Sequence, residues 1–128
     1  MKVQVERVVQ KEDQRGSVWE PITDSELQAQ GNCHVVVTQP GGIRGNHYHK
    51  VGTEIATQCG PALVIYKDET GLQKIEVKTG ETVRFVFPPG VPHAFQNNGE
   101  EPNLLVAFNT EVFNPDKPDV VREDVTAT

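Results

Sequence analysis

Short stretches in which apolar and polar residues alternate recur along the whole chain, and glycine- or proline-rich turns separate them. Alternation with a period of two is typical of strands that bury one face. The pattern predicts strands at 2–9, 17–22, 33–39, 45–50, 54–58, 61–67, 72–77, 82–87, 93–97 and 104–109. Many short, evenly spaced strands predict an all-β fold, an antiparallel sandwich or jelly-roll barrel.

One segment has the composition of a helix, "DSELQAQG" at 24–31. Asp24 or Ser25 could cap its start and Gly31 could end it, which predicts one or two turns. The last stretch, 114–128, is polar and interrupted by proline, so it predicts either a return strand or a loosely held tail.

Composition mainly excludes classes of protein. The 128 residues predict a single domain over 1–128 that is large enough to bury a core. A net charge of −6 without a basic stripe argues against nucleic acid as a partner. No apolar run has the length of a membrane span, and the first ten residues lack the apolar centre of a signal peptide, so we expect no membrane partner and a cytoplasmic location. In that compartment Cys33 and Cys59 are expected to carry unpaired thiols.

Three of the four histidines are placed to share one site. His47 and His49 lie one residue apart on a predicted strand, so their side chains face the same side. Glu54 follows five positions later, and His93 begins another strand after a proline-rich turn. Burying imidazoles without a partner costs free energy of desolvation. A divalent transition metal would offset this cost by binding the lone pairs of the neutral rings. Exposed strand histidines, or buried histidines bonded to the backbone, fit the same spacing.

Two motifs resemble those of the cupin superfamily. The first is "GGIRGNHYHKVGTEIATQCG" at 41–60, and the second is "PPGVPHAFQN" at 88–97. The ligand positions of the two motifs fall on His47, His49, Glu54 and His93. The resemblance implies the cupin fold with one divalent transition metal per chain, which could be zinc, nickel, iron or manganese. The closing glycine of the first motif, Gly60, comes one residue earlier than in the usual pattern.

Two further stretches resemble the dTDP-4-dehydrorhamnose 3,5-epimerase family. "DQRGSVWEPI" at 13–22 is similar to its "R-G-x-F-x-E" segment, which contacts the nucleotide of the neighbouring subunit, and "IRGNHYH" is similar to its "L-R-G-x-H" strand. In that family the strand histidine removes a proton beside the sugar ketone, which implies that His47 is the base. The resemblance also implies that Asp124 supports this base, and that Arg15, Glu20 and Arg44 contact the substrate.

The second histidine and the glutamate distinguish this chain from the simple epimerases, which have glutamine in place of His49 and use no metal. The stretch from Arg44 to Lys50 is similar to "R-G-x-H-x-H-K" of the sugar-nucleotide 3,4-ketoisomerases, which implies that Lys50 also contacts substrate. The metal-binding domain at the C-terminus of capsular polysaccharide assembly reductases has a similar pattern. Arg84 is either an outward strand residue or a phosphate ligand.

Two departures bear on the mechanism. Where the epimerases carry a catalytic tyrosine, this chain has Phe108 and Phe113. In addition, a histidine bound to a metal has no lone pair left with which to act as a base. If His47 is a ligand, the candidate bases are Tyr48, Tyr66 and Glu20. His34 is expected to be structural or exposed.

The implied function is epimerisation or isomerisation of a nucleotide-linked keto-sugar in surface-polysaccharide synthesis, by abstraction of a proton next to the ketone. Two alternatives remain, another metal-dependent cupin enzyme such as an iron-type oxygenase, and a non-catalytic sugar-binding module. We expect a homodimer, because small barrels have edge strands to cover and the epimerases exchange N-terminal strands.

Overall fold

The computed structural model describes residues 1–127 and confirms the predicted all-β fold. The strands, in chain order, are β1 (Gln4–Arg7), β2 (Lys11–Asp13), β3 (Gly16–Val18), β4 (Asn32–Thr38), β5 (Ile43–His49), β6 (Glu54–Cys59), β7 (Ala62–Asp68), β8 (Gly71–Val77), β9 (Thr82–Phe87), β10 (His93–Gln96), β11 (Asn103–Asn109) and β12 (Val120–Arg122). One short helix, α1 (Asp24–Leu27), lies between β3 and β4.

Two antiparallel sheets of five strands form the sandwich. The first sheet has the order β1-β9-β6-β11-β4, and the second has the order β12-β5-β10-β7-β8. Strands β2 and β3 form a separate hairpin on which every residue is exposed. Sequence neighbours often lie in different sheets, so residues far apart in the chain meet between the sheets.

Alternation along the strands decides which side chains fill the space between the sheets. Phe85 and Phe87 of β9 point inward, where they meet Val64 of β7 and Val77 of β8, and all four are at most 1% exposed. Burying a side chain of this size stabilises the fold by roughly 1.5–3 kcal/mol. These residues form the main core, and it lies at the β7–β8–β9 side of the sandwich.

The helix has about one turn, within the one or two turns predicted, but its cap was assigned to the wrong residues. Thr23, rather than Asp24 or Ser25, caps α1: its hydroxyl accepts from the backbone N–H of Glu26, and the Glu26 carboxylate accepts from the backbone N–H of Thr23. The helix ends before Gly31 because the N–H of Gly31 donates to the carbonyl of Asn109 on β11 and draws the chain into the first sheet.

The sequence predicted the C-terminal segment better than the segment around β2 and β3. The strand expected at 17–22 shrinks to β3, whose partner β2 was not predicted because the exposed sequence "KED" has no apolar alternation. The C-terminal segment contains a return strand, β12, which pairs with β5.

Both cysteines carry free thiols, and the helix of the described chain is far too short to cross a bilayer.

Candidate functional site

Three strands bring the four predicted ligand residues together. His47 and His49 lie at the end of β5, Glu54 begins β6 and His93 begins β10. One ligand atom from each residue lies within 4.8 Å of those of the other three. The imidazole of His47 meets those of His49 and His93 edge to face, with centroids 5.1 and 5.0 Å apart. The predicted convergence of these four side chains is therefore present.

A bulge between β5 and β10 makes this approach possible. The register between the two strands shifts after His93, which faces His47, while Ala94 faces Gly45. Gly45 has φ +91°, and a Cβ atom there would lie 2.8 Å from the carbonyl oxygen of His93. A glycine is thus required at this position for both conformation and space. The bulge also leaves Arg44 on the same face as His47.

Glu54 is the electrostatic centre of the cluster. Its Oε1 lies 3.1 Å from Nε2 of His49, and its Oε2 lies 3.1 Å from Nε2 of His93. Burial alone would raise the pKa of the Glu54 carboxyl, but the charge of His93 and the hydrogen bond with His49 outweigh it and hold that pKa well below its usual range. The carboxylate is therefore ionised at neutral pH.

The imidazoles respond to the same surroundings in opposite directions. Burial, reinforced by the charge of His93, lowers the pKa of His47 to about 4, so this ring is neutral and keeps a free lone pair. Burial also opposes the charged form of His93, but the Glu54 carboxylate prevails and raises the pKa of His93. Nδ1 of His93 lies 3.0 Å from the carbonyl oxygen of Val91, which directs Nε2 toward Glu54.

Two buried atoms of the cluster test whether it fits a metal ion. Oε2 of Glu54 and Nε2 of His93 have no hydrogen-bond partner within residues 1–127, because their 3.1 Å approach lacks the alignment of a hydrogen bond. Buried polar atoms without a partner are rare in native proteins. A cation would satisfy both, and three imidazoles with one carboxylate are ligands suited to divalent transition metals. The residues present fit such an ion.

A cavity of about 370 Å³ opens beside the cluster between the two sheets. Its apolar wall is formed by Val36, Phe95, Leu105 and Ala107, whereas the polar side chains around it include Asn32, His34, Arg44, Glu111 and Lys117. The segment 111–114, with Phe113, forms part of the wall as well. The cavity therefore combines an apolar surface with a few charged groups next to the cluster, as small-molecule sites do.

Of the other residues predicted for the site, Arg44 lines the cavity, and its guanidinium lies 3.4 Å from both the Thr38 hydroxyl and the Val37 carbonyl oxygen. Tyr48 lies on the opposite face of β5 from the cluster. Tyr66 is buried among the aromatic rings of the core, with ring centroids 6.4 Å from Phe85 and 5.9 Å from Phe87.

The remaining predicted residues lie away from the cavity. Arg84 is buried on the outer face of the first sheet, where it forms a 3.0 Å ion pair with Glu6. Arg15 is exposed on the β2–β3 turn and pairs with Asp13. The other three, Glu20, Lys50 and Asp124, are exposed and do not line the cavity. The Asp124 carboxylate accepts backbone N–H groups of the C-terminal turn.

Among the cavity-lining residues that sequence reasoning did not assign to the site are Asn32, His34, Lys117 and Asp119. His34 is exposed, which is one of the two outcomes expected of it, and it also lines the cavity from β4. The alternation Asn32, His34, Val36 along that strand contained the signal, because all three face the same side. No local pattern marked Lys117 or Asp119, since both lie in an irregular segment.

The chain is similar to proteins of polysaccharide biosynthesis. A family model described as the polysaccharide biosynthesis C-terminal domain matches residues 11–121. The spore coat polysaccharide biosynthesis protein SpsL of Bacillus subtilis is 29% identical over 94% of this chain and 86% of its own length. The oxalate decarboxylase OxdC of the same organism is 31% identical over 79% of this chain but only 26% of its own length.

Several solved structures have a similar fold. The capsular polysaccharide assembling protein CapF of Staphylococcus aureus superposes with a TM-score of 0.67 and 23% identity; 92% of this chain is covered, which spans a third (33%) of CapF. A 3,4-ketoisomerase of Helicobacter canadensis superposes with a TM-score of 0.73 and 18% identity, and the match covers 96% of this chain and 92% of the ketoisomerase. ChmJ, a 3'-monoepimerase of Streptomyces bikiniensis solved with dTDP-quinovose, superposes with a TM-score of 0.71 and 18% identity. The match covers 89% of this chain and 66% of ChmJ.

Proposed function

Because the chain belongs to the family described as the polysaccharide biosynthesis C-terminal domain, we propose that it is a metal-binding enzyme that epimerises or isomerises a nucleotide-linked keto-sugar for a surface polysaccharide. The observation that carries the proposal is the convergence of three imidazoles and one carboxylate beside a 370 Å³ cavity. Small-molecule sites have volumes of roughly 300–1,000 Å³. The dTDP-quinovose bound by ChmJ supports a nucleotide-linked sugar as the ligand class.

We assign the cation to the four converging side chains, His47, His49, Glu54 and His93. The ionised carboxylate and the neutral ring of His47 are already in the protonation states that metal binding requires. Zinc, nickel, iron or manganese suits this donor set. When bound, such an ion supplies Lewis-acid stabilisation of the negative charge that develops on the ketone oxygen as the neighbouring proton leaves.

A separate residue must accept the proton if His47 is a ligand. Tyr48 faces away from the cavity, and Tyr66 is enclosed by the rings of the core. We assign the role of base to His34, whose imidazole lines the cavity from β4 and is not part of the cluster. A neutral imidazole is the usual general base near pH 7.

Other side chains of the cavity complete the substrate site. Arg44 and Lys117 bring two positive charges to the cavity of a chain whose net charge is −6, and we assign them to the phosphates. Phe113 stands in the cavity wall and has no hydroxyl group, so it cannot donate a proton as the tyrosine of the epimerases does. Stabilisation of the enolate therefore falls to the cation site.

Deuterium exchange tests this function. The metal-loaded protein is incubated in heavy water with dTDP- and UDP-linked 4-keto-sugars, and NMR records deuterium at the carbon beside the ketone. We expect exchange with one of them, and a loss of about 100-fold or more in His34→Asn, since general bases contribute roughly 10²–10⁴-fold. Cys33→Ser, the adjacent residue on the opposite face of β4, serves as the control and should exchange normally. No exchange with any of these sugars would contradict the proposal, and tight binding without exchange would indicate a sugar-binding module.

A second candidate is a different metal-dependent cupin chemistry, such as oxygenation at iron. The similarity to oxalate decarboxylase OxdC favours it. Oxygen consumption, or carbon dioxide release from oxalate, by the iron- or manganese-loaded protein would support this alternative. Absence of both activities in protein that does exchange deuterium into a keto-sugar would exclude it.

We further propose that the chain forms a homodimer in the cytoplasm without nucleic acid or membrane as partner. Strand β4 is an edge of the first sheet, and its outward residues Val35 and Val37 are 67% and 52% exposed. A second copy would cover this apolar edge. Light scattering is expected to give twice the chain mass of 14.2 kDa. A single-chain mass at micromolar concentration would contradict the dimer.

A further inference from the structure

Asp119 lies outside both histidine-containing motifs, immediately before β12, yet its oxygens bind the turn that connects two of the cluster residues. Oδ1 accepts from the N–H of Val51 and Oδ2 from the N–H of Gly52, each at 2.9 Å. Its backbone carbonyl accepts from the N–H of Lys50, also at 2.9 Å. One residue thus binds three successive N–H groups.

The position of that turn matters because of the residues at its two ends. His49 immediately precedes the turn and Glu54 follows it, and the gap between their side chains is set by how the turn closes. The turn joins strands of different sheets, β5 in the second and β6 in the first. The bonds to Asp119 therefore hold together the two ligand-bearing strand ends across the sandwich.

Asp119 also faces the ring of His49 directly. Oδ2 lies 3.8 Å from Nδ1, while Nε2 of the same ring lies 3.1 Å from Oε1 of Glu54. A neutral ring that offers its Nε2 lone pair carries its proton on Nδ1, the nitrogen that faces the Asp119 carboxylate. His93 also has Nε2 toward Glu54, and its Nδ1 is hydrogen-bonded to the Val91 carbonyl oxygen at 3.0 Å, a shorter contact than the 3.8 Å between His49 and Asp119.

We propose that Asp119 is a positioning residue for the cation site, which orients His49 through Nδ1 and fixes the separation of His49 and Glu54 through the turn. The inference rests on the proposed cation site. Groups that bind the far side of a ligating histidine typically change metal affinity by roughly 10–100-fold when removed. The Asp119 side chain is only 21% exposed, so its carboxylate is partly shielded from solvent beside the ring.

Cobalt binding to the full chain tests this role, because Co²⁺ reports both affinity and geometry. Affinity is measured by competition with a chelator, and the visible absorption spectrum records the ligand geometry. We expect Asp119→Asn to weaken Co²⁺ binding about 10-fold and Asp119→Ala about 100-fold, with an altered spectrum in both. Asp116→Asn is the matched control, since this exposed carboxylate lies in the same segment outside the cavity wall.

The outcomes separate this inference from the proposed function. If the unmodified chain binds cobalt, and both variants keep its affinity and spectrum, the role of Asp119 is wrong and the cation site stands. If the variants lower only the melting temperature of the metal-free protein, Asp119 merely holds the turn, and the role is again wrong. If the unmodified chain binds no divalent ion, the cation site and the role fail together. Should Asp119→Ala not fold, the isosteric Asp119→Asn decides.

Discussion

The same two sheets enclose a packed half and an open half. In the packed half, around β7, β8 and β9, inward side chains such as Phe85 and Val64 are fully buried against one another. In the open half, around β4, β5 and β11, the inward side chains leave a 370 Å³ cavity. Phe87 and His93 mark the boundary, with rings stacked 4.1 Å apart. The stability of the packed half depends on the volume of its side chains, whereas the chemistry of the open half depends on the positions of a few atoms.

The largest expected effect is on the packed half. Phe85→Ala removes a fully buried ring and should lower the free energy of unfolding by about 3–5 kcal/mol. Phe113→Ala removes a ring of the same size from the open half, where it is 68% exposed, and should change that free energy by less than about 0.5 kcal/mol. Urea denaturation measures both. Similar losses in the two variants would contradict the distinction between the halves.

The next effect is specific to the open half. Glu54→Gln removes the charge that faces both His49 and His93, and it should weaken zinc binding about 100-fold or more. One of four ligands contributes about a quarter of the roughly 10–16 kcal/mol with which zinc-finger peptides bind structural zinc. Glu111→Gln neutralises another carboxylate of the cavity wall and should leave the affinity unchanged. Calorimetric titration with zinc decides; equal affinities in the two variants would remove Glu54 from the site.

A glycine substitution sharpens the comparison at the bulge. Gly45→Ala places a Cβ 2.8 Å from the backbone of His93, whereas Gly71→Ala, also at positive φ, meets nothing within 4 Å. Both variants strain the backbone by about 1 kcal/mol, so any further loss of stability in Gly45→Ala measures the close approach of β5 and β10. We expect a further loss of roughly 1–3 kcal/mol, together with weaker zinc binding. Equal stability of the two variants would show that the backbones of β5 and β10 are not in close contact at Gly45.

The smallest effect concerns the pH dependence of the packed half. Burial, with a contribution from the charge of Asp68, raises the pKa of Tyr66 above its ordinary value of 10. The folded protein therefore retains this proton where the unfolded chain loses it, and stability should fall as the pH rises above 10. Tyr66→Phe should remove this part of the fall in melting temperature.

Tyrosinate absorption offers a second reading of the same group. The chain has two tyrosines, so Tyr48→Phe leaves Tyr66 as the only one. Its titration midpoint in the folded protein is expected above pH 10. A midpoint at or below 10 would mean that the ring is open to water, and Tyr66 would again be a candidate base.

The sequence predicted the packed half and the cluster for different reasons. Short apolar runs between turn residues located the strands of the packed half, where β7 and β9 are buried on both faces and only β8 shows a period of two. The shared direction of His47 and His49 followed from the alternation of side chains along a strand. Their meeting with Glu54 and His93 depended on recognising two motifs, since no local pattern reports how strands of two sheets are brought together. The metal itself and the base stay predictions.

What could not be predicted depends on contacts distant in sequence. The face of β9 that carries Arg84, and the cavity side of β4 that carries His34, are fixed by which sheet neighbours each strand acquires. Asp119 acts on residues 67 or more positions earlier in the chain. The start of α1 was misplaced by one residue because three adjacent residues, Thr23 to Ser25, all have side chains that can cap a helix.

The central claim is that the four converging side chains bind one divalent transition metal. Elemental analysis of the protein purified without chelator, and again after loading with zinc, nickel, iron or manganese, tests it most directly. We expect one ion per chain, and loss of that ion when His93 is replaced by alanine. If the protein retains no stoichiometric ion under any of these conditions, or binds it equally well without His93, the four side chains do not form a cation site.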